Sequence, residues 1–289
     1  MPVDKIIETV NKMDETSDAT LSESGFYWRE RDGVTVLVCR AIEAVGFVNA
    51  FSTRMGGVSP FPENSLNLAG FDEDTAENIY ENRRRFLKAV GGDLELATVW
   101  QIHSDRVKIV ASAADAGNSD QRADALVSNL ARLAVGVKTA DCVPVLIADP
   151  VTGAFAAVHA GWRGTVKSIV SKTIDTMKEN YGTNATDLVC AIGPAAGCEN
   201  YEIGQDVIDA FAAAFASSDA FFAPTRPGHA TIDLHAANRR QFTDAGVRHE
   251  NIFTAPFCTM ERADLFFSYR NEKKKYGKTG RLLSVIGRS

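Results

Sequence analysis

Short apolar runs, separated by brief polar or glycine-containing turns, follow one another closely between residues 97 and 164. The runs are ATVWQIH, RVKIVAS, DALVSN, RLAVGVKTADC, VPVLIADP and GAFAAVHAGWRG, and their length and composition are typical of strands. FYWRE, VTVLVCRAI and VNAFST precede them, and NIFTAP, LFFSYR and RLLSVIG are strand-like runs near the C-terminal end. This succession predicts that β-sheets form most of the framework.

Amphipathic segments with helix-start and helix-stop signals lie between some of these runs. They predict helices at 75–92, 165–182, 204–218 and 234–246. The sequence shows no internal repeat, low-complexity tract or linker. The 289 residues therefore predict one mixed α/β domain.

The first 25 residues differ from the rest of the chain. A weak helical period is followed there by a stretch of Ser, Thr, Asp and Glu, so we expect a mobile lead-in at 1–25 and a single domain at 26–289. This segment lacks a basic start followed by an apolar core, and no later apolar run reaches membrane-spanning length. We therefore expect neither a signal peptide nor a membrane partner.

Acidic residues outnumber basic ones, with 37 Asp and Glu against 31 Lys and Arg and a net charge of −6. This balance argues against a dedicated nucleic-acid binder, which is usually basic. The five cysteines are odd in number and form no CxxC pair, which favours reduced thiols in the cytoplasm. We expect a small-molecule partner, and an anionic one would need a local cluster of Arg side chains or backbone N–H groups.

Three side chains of metal-ligand type, His103, Cys142 and His159, each lie where an apolar strand-like run meets a polar or glycine-rich loop. Ligands at neighbouring strand ends can converge on one point although they are far apart along the chain. Imidazole and thiolate are favoured zinc ligands, and three protein ligands leave a fourth position open, as in catalytic zinc sites. Each residue alone is also compatible with packing or hydrogen bonding. Together they form a candidate metal site.

Two arginines beside glycines indicate where an anion could bind. In HAGWRGT, Gly161 and Gly164 lie between a strand end and a helix start, and Arg163 adds a positive charge. In FSTRMGG, Arg54 precedes two glycines at another strand end. A tight turn with a solvated Arg163 is an equally good explanation of the first motif.

Other chemically capable side chains are assigned structural roles. Asp141 is expected to cap local backbone groups, although its position beside Cys142 would also allow it to accept a proton. Cys39, Cys190 and Cys198 are expected to pack, His229, His235 and His249 lack similar neighbours, and Lys273–Lys275 is expected to be a solvated face.

Eight ordered sequence blocks, spanning about Phe51 to Arg281, resemble the YfiH-like laccase-domain family. The blocks are FSTRMGGVSPFPENSLNL, VWQIHSDRV, DALVSN, KTADCVPVLIADP, AAVHAGWRG, AIGPAAGCENYEIG, DLHAANRRQF and DLFFSYRNE with TGR after it. The resemblance implies a single-domain α/β fold, a layered α/β/β/α sandwich like that of deamidating toxins of the cytotoxic necrotizing factor type, usually as a monomer. It also places the family's metal ligands on His103, Cys142 and His159.

The resemblance implies an enzyme as well. Family members have been described as zinc enzymes that phosphorolyse adenosine, inosine, guanosine and methylthioadenosine and deaminate adenosine, and earlier as copper-dependent polyphenol oxidases. A multicopper oxidase needs many His ligands, whereas this chain has five His in total, so we expect one zinc ion. Copper is the alternative metal, and a copper-dependent polyphenol oxidase is the corresponding alternative function.

The purine nucleoside phosphorylase hypothesis assigns roles to seven residues. His103, Cys142, His159 and Arg163 would carry catalysis, and Arg54, Arg163 and the N–H groups of Gly161 and Gly164 would hold phosphate.

Two alternative hypotheses use the same cluster differently. In the first, Cys142 is a nucleophile and His159 its base, which gives a hydrolase or a peptidoglycan-precursor editing enzyme. In the second, the cluster is a structural metal clip in a binding protein, and replacing Cys142 by alanine would unfold the chain.

Overall fold

The computed structural model describes residues 15–61, 64–69, 74–91 and 93–289. Within these ranges the chain forms two six-stranded sheets, one three-stranded sheet, and helices that pack on the outer faces of the large sheets. No helix in the described ranges is both long enough and apolar enough to cross a membrane.

The first large sheet brings together both ends of the folded region. In spatial order its strands are β1 (Phe26–Arg31), β2 (Val34–Cys39), β3 (Val48–Ser52), β15 (Leu282–Arg288), β7 (Leu133–Thr139) and β4 (Glu95–Ala97). Neighbouring strands are antiparallel except for β4 and β7.

The second large sheet and the small sheet contain the other nine strands of the described residues. The second sheet has the order β14 (Ile252–Thr254), β10 (Val189–Ile192), β8 (Val143–Ala148), β9 (Phe155–Ala160), β6 (Ala125–Ser128) and β5 (Val107–Ile109). The small sheet consists of β11 (Glu202–Gly204), β13 (His229–Ile232) and β12 (Phe222–Arg226).

Nine α-helices are present in the described residues. They are α1 (Glu15–Glu23), α2 (Arg40–Ala44), α3 (Ala76–Val90), α4 (Ala113–Gly117), α5 (Trp162–Val166), α6 (Ile169–Tyr181), α7 (Gln205–Ala214), α8 (Leu234–Asp244) and α9 (Tyr269–Tyr276).

Three apolar layers hold these elements together. Phe51 of the first sheet and Phe155 of the second lie in the central core between the two large sheets. Helices α6, α7 and α8 pack on the outer face of the second sheet, and Phe86 of α3 packs on the outer face of the first. All residues of β8 and β9 are buried because both faces are covered, which explains their uninterrupted apolar sequence. The α/β/β/α prediction is confirmed.

The structure differs from the sequence predictions at several places. Strand β4 ends at Ala97, so the rest of the run ATVWQIH is not a strand, and Trp100 forms an isolated bridge with Arg122. LFFSYR is not a strand: Leu265 and Phe267 are buried in an irregular segment before α9, and burial alone gives an apolar run the appearance of a strand. The helix expected at 165–182 is divided at Ser168, whose φ is +60°. Helix α1 precedes the expected start at Phe26 and buries Leu21 in the central core, whereas residues 1–14 of the predicted lead-in lie outside the described ranges.

Candidate metal centre

The fold brings His103, Cys142 and His159 together. His103 lies in the loop between β4 and β5, Cys142 lies in the turn by which the chain passes from β7 to β8, and His159 lies near the end of β9 beside β8. Their ligand atoms are all within 4.8 Å of one another, and Cys142 Sγ is 3.9 Å from His103 Nε2. The structure therefore brings the three predicted side chains together, although His103 comes from a loop and not from a strand end.

A buried carboxylate that the sequence analysis did not single out fixes His159. Asp124 immediately precedes β6, and its backbone carbonyl accepts a hydrogen bond from the His159 N–H at 2.7 Å. The His159 Nδ1–H also donates to Asp124 Oδ1 at 2.8 Å, which leaves Nε2 directed to the cluster. Asp124 is fully buried, so the imidazole is held in one tautomer and one orientation.

The same carboxylate shapes the loop that carries His103. The backbone N–H groups of Ile102, His103 and Ser104 donate to Asp124 at 3.3, 3.0 and 2.6 Å. Successive N–H groups can point at one anion only when the loop is tightly curved, and His103 adopts a left-handed φ of +56°. Asp124 therefore positions both histidines.

The charges of the cluster are strongly coupled. Burial alone would raise the pKa of Cys142, but the charge of His159 and hydrogen bonds to both imidazoles lower it to about 6. Burial would likewise lower the pKa of His159, but the Cys142 thiolate and the hydrogen bond to Asp124 raise it to about 9. The sulfur is therefore a thiolate near neutral pH, which is the form that binds metals.

The donor set and its spacing fit a zinc ion. The ligand atoms of a tetrahedral zinc site lie about 3.5 Å apart, close to the 3.9 Å between Cys142 Sγ and His103 Nε2. His159 is buried, Cys142 is half-buried and His103 is exposed, so the group is open to solvent on one side. Three ligands with an open side are characteristic of a catalytic rather than a closed structural site.

The open side faces a cavity of about 760 Å³. Its wall includes all three candidate ligands, the aromatic side chains of Trp100, Trp162, Tyr201 and Tyr269, and the basic side chains of Arg83, Lys138, Arg163, Arg270 and Arg281. Arg163 is exposed and stacks on Trp162, with its guanidinium carbon 4.2 Å from the ring centroid. Arg163 therefore lines the same cavity as the candidate ligands, and its phosphate-binding role stays a prediction.

Comparison with known proteins identifies the family. The family model described as multi-copper polyphenol oxidoreductase laccase matches residues 48–289. The chain belongs to this laccase family. The purine nucleoside phosphorylase YfiH of Escherichia coli K12 is 35% identical over 243 residues, which cover 83% of this chain and 93% of that protein. A purine nucleoside phosphorylase of Bacteroides thetaiotaomicron is 35% identical over 81% of this chain and 89% of its own length.

Solved structures of the laccase family share the fold. YlmD from Geobacillus stearothermophilus matches with a TM-score of 0.83 and 31% identity, covering 91% of this chain and 98% of that one. The hypothetical protein YfiH of Bacillus licheniformis matches with a TM-score of 0.82 and 29% identity, covering 91% and 99% of the two chains. The resemblance stated from the sequence blocks is confirmed.

Arg54 does not join the cluster of this laccase-family protein, contrary to the phosphate-binding prediction. Its guanidinium is largely buried, pairs with Glu272 at 2.8 Å, donates to the Ala263 carbonyl at 2.7 Å and lies over the Phe267 ring. Glu272, the ion-pair partner of Arg54, lies more than 200 residues further along the chain. The motif FSTRMGG therefore gave no sign that the charge of Arg54 is neutralised. Arg54 anchors the segment before α9 instead of facing the cavity.

We expect Arg54→Gln to lower the free energy of unfolding by about 3 kcal/mol, because it leaves Glu272 as an unpaired buried charge. The Michaelis constant for phosphate should not change. Arg84→Gln, which removes an exposed ion pair with Glu81, is the control and should cost at most about 1 kcal/mol. Chemical denaturation measures the stability, and kinetics at varied phosphate concentration measure the KM. A raised KM for phosphate at unchanged stability would show that Arg54 binds phosphate after all.

The two predicted phosphate-binding glycines serve close packing. A Cβ at Gly161 would lie 3.0 Å from Cys142 Sγ and 3.1 Å from His103 Cδ2. A Cβ at Gly164 would lie 3.1 Å from the Ser104 carbonyl oxygen, and Gly164 is buried within the short helix α5. Both glycines let α5 approach the ligand loops, and Gly164 does not face the cavity.

Gly161→Ala is expected to weaken metal binding about tenfold, because the added methyl group displaces two ligands at once. The backbone is not strained, since Gly161 has φ −67° and ψ 167°. Gly117→Ala is the matched control, because nothing lies within 4 Å of its Cβ position. Competition with a chromophoric chelator measures the affinity; equal affinities for the two variants would contradict the packing role.

Asp141 has a structural role, but its carboxylate bonds to distant residues and does not cap local backbone groups as expected. Its carboxylate accepts hydrogen bonds from Thr259 Oγ1 at 2.8 Å, Ser268 Oγ at 3.1 Å and the Arg270 N–H at 2.6 Å. These donors occupy both oxygens, which argues against a role as proton acceptor. Asp141 thereby ties the turn of Cys142 to the start of α9.

The remaining candidates lie outside the cluster. Cys39 and Cys190 are buried as expected, whereas Cys198 is exposed, so its predicted packing role is wrong. His235 bonds to the Gly193 carbonyl, His229 lies near the Pro227 carbonyl, His249 contacts Arg239, and Lys273–Lys275 is an exposed stretch of α9. Within the described residues no second group of potential metal ligands is found.

Proposed function

We propose that the protein is a zinc-dependent purine nucleoside phosphorylase that also deaminates adenosine. The observation that carries the proposal is the open His103–Cys142–His159 group in the wall of a large cavity that also presents aromatic and basic side chains. The names of the relatives from Escherichia coli and Bacteroides thetaiotaomicron support the phosphorylase activity.

The choice of zinc rests on the number and type of ligands. Two imidazoles and one thiolate suit a single zinc ion, whereas a multicopper centre needs further histidines, and the other three lie elsewhere in the described structure. Zinc at this position would act as a Lewis acid that polarises an electron-rich group of the substrate.

The cavity wall suits a purine nucleoside. Trp100 and Tyr269 are 58% and 48% exposed, and large aromatic faces left open to a cavity are suited to stacking with a purine base. Adenosine, inosine, guanosine and methylthioadenosine share that base. We propose these small molecules and phosphate as the ligands of a protein that acts as a monomer, with nucleic acid excluded.

In phosphorolysis a phosphate oxygen forms a bond to ribose C1′ as the C1′–N9 bond breaks. The bonding electron pair leaves with the purine, which takes up a proton, and ribose 1-phosphate is the second product. Arg163 is positioned beside the candidate ligands to bind phosphate through its guanidinium. In deamination, oxygen from water replaces the amino group at C6 and ammonia is released.

The test is product analysis by chromatography after incubation of the zinc-loaded protein with adenosine, with and without phosphate. We expect adenine and ribose 1-phosphate only when phosphate is present. Inosine should form without phosphate, and with phosphate it should be accompanied by the hypoxanthine released from it. Absence of phosphate-dependent adenine release, with inosine and guanosine also unchanged, would refute the phosphorylase proposal. Absence of inosine would refute the deaminase activity alone.

A Cys-His hydrolase is the second candidate, and the paired charges of Cys142 and His159 favour it. A thiolate beside an imidazolium is the usual state of a cysteine nucleophile. Zinc and a free nucleophile compete for the same sulfur. Alkylation of Cys142 by iodoacetamide should therefore be fast in chelator-treated protein and blocked in zinc-loaded protein; rapid alkylation of the active, metal-loaded form would favour the hydrolase.

All five cysteines are free thiols in the structure. Free thiols persist in reducing compartments, so we propose that the enzyme acts in the cytoplasm.

A further inference from the structure

A second cavity, of about 320 Å³, lies beside the metal cavity. Trp162, Tyr201 and Arg270 line both cavities, so these three side chains form a shared wall between them. The small sheet supplies another part of the second cavity, including Arg226 and His229. A ligand held at the shared wall would therefore be next to anything bound in the metal cavity.

Arg270 presents an exposed positive charge at this wall. Its side chain is exposed, its guanidinium carbon lies 4.8 Å from the Tyr201 ring centroid, and its Nη1 donates to the Glu202 carbonyl at 2.9 Å. No carboxylate of the described residues forms an ion pair with it, whereas Arg226 in the same cavity is paired with Glu202 at 2.8 Å. A guanidinium that is exposed and held against an aromatic face is preorganised to bind an oxyanion.

The surroundings add to this local charge. Arg163 also lines the metal cavity, and its exposed guanidinium stacks on Trp162 of the shared wall. The whole chain, in contrast, has a net charge of −6. Two exposed guanidinium groups at the shared wall raise the concentration of anions at that place.

We propose that Arg270 binds the inorganic phosphate consumed in phosphorolysis, at the wall shared by the two cavities, with Arg163 on the side of the metal cavity. Arg54 is paired with Glu272, so Arg270 takes its place as the second guanidinium of the proposed phosphate site. The inference rests on the proposed phosphorylase function. Phosphate held there can reach the ribose of a nucleoside in the metal cavity, because Trp162 and Tyr201 belong to both cavities.

The kinetic test compares Arg270→Gln with wild type in inosine phosphorolysis. The KM for phosphate should rise at least about tenfold, since a charge-assisted bidentate contact is lost, while the KM for inosine and the melting temperature stay the same. Arg270→Lys keeps the charge without the planar fork and should be intermediate. Lys274→Gln removes a charge from the same helix away from both cavities and should match wild type. An unchanged phosphate KM in Arg270→Gln would overturn the inference.

A binding measurement separates this inference from the proposed function. Calorimetric titration of zinc-loaded protein with inorganic phosphate requires no turnover, and Arg270→Gln should bind phosphate at least about tenfold more weakly. Arg270-dependent binding without phosphorolysis would refute the proposed function but keep the anion site. Phosphorolysis with Arg270-independent phosphate binding would refute the inference alone.

The phosphate group of a nucleotide has the same chemistry and needs its own comparison. Inosine 5′-monophosphate should bind no more tightly than inosine if the site holds inorganic phosphate. Tighter binding of the monophosphate in wild type, lost in Arg270→Gln, would contradict the assignment to free phosphate.

Discussion

Cys142→Ala is expected to leave a folded protein that no longer retains zinc and has lost at least about 1,000-fold in kcat/KM, the equivalent of about 4 kcal/mol of Lewis-acid stabilisation. The fold should survive because the central core lies between the two large sheets and does not depend on the ligand group. Cys142 is half-buried in a turn at the cavity wall. Turnover of inosine, metal content and thermal melting of the purified variant measure the three expectations.

Cys198→Ala is the matched control for this variant. Cys198 is an exposed free thiol outside the cluster, so its loss should change neither metal content nor activity. Cooperative unfolding of Cys142→Ala at room temperature would favour the structural-clip hypothesis. Full activity of Cys142→Ala would exclude both zinc catalysis and the Cys-His hydrolase.

Asp124→Asn should have the second-largest effect, since it changes the one carboxylate that holds both histidines. Asp124 Oδ1 accepts from His159 Nδ1 and the His103 N–H, and Oδ2 accepts from the N–H and hydroxyl groups of Ser104. Both oxygens of Asp124 accept hydrogen bonds, so the NH₂ group of an asparagine would face an N–H or O–H donor in either orientation of the amide. We expect a loss of about 3 kcal/mol in stability and a loss of 10- to 100-fold, roughly, in zinc affinity.

Asp149→Asn distinguishes the positioning role of Asp124 from simple burial of a carboxylate. Asp149 is also fully buried and accepts from the Val151 and Thr152 N–H groups, but it lies in the turn between β8 and β9, outside the metal cavity. Its replacement should reduce stability without changing zinc affinity. If the two variants lose zinc affinity equally, Asp124 has no specific role at the metal site.

The metal ligands could be found from the sequence because each lies where an apolar run ends. Strands that neighbour one another bring their ends to the same edge of a sheet, and β8 and β9 are such neighbours for Cys142 and His159. The same runs are long and uninterrupted because both faces of β8 and β9 are covered, so the layered fold was also predictable. The sequence blocks then made the family assignment specific.

Other parts of the site depend on contacts between distant segments. Asp124 begins the run DALVSN, and no local motif marks it as the partner of His159, which lies 35 residues away. The signal that could have found it is general: a metal-bound histidine usually donates its second N–H to a carboxylate or carbonyl. An acid immediately before a buried strand next to the histidine's own strand is a candidate for this role.

Arg54 and Arg270 show that a local sequence motif does not reveal which arginine is available to bind an anion. Arg54 has the glycine-rich neighbours expected of an anion site, but Glu272 neutralises it through tertiary packing. Arg270 has no such neighbours and lies in a run that was predicted to be a strand, yet the structure places it at the wall shared by both cavities. Charge compensation is a property of the folded chain, so local sequence did not distinguish these two arginines.

The proposed metal centre holds a single zinc ion by two imidazoles and one thiolate. Zinc K-edge X-ray absorption of protein purified without added metal tests it most directly. We expect one zinc per chain with one sulfur at about 2.3 Å and two imidazole nitrogens at about 2.0 Å, and loss of the sulfur shell in Cys142→Ser. Zinc surrounded only by nitrogen and oxygen, or copper in its place, would contradict this metal centre.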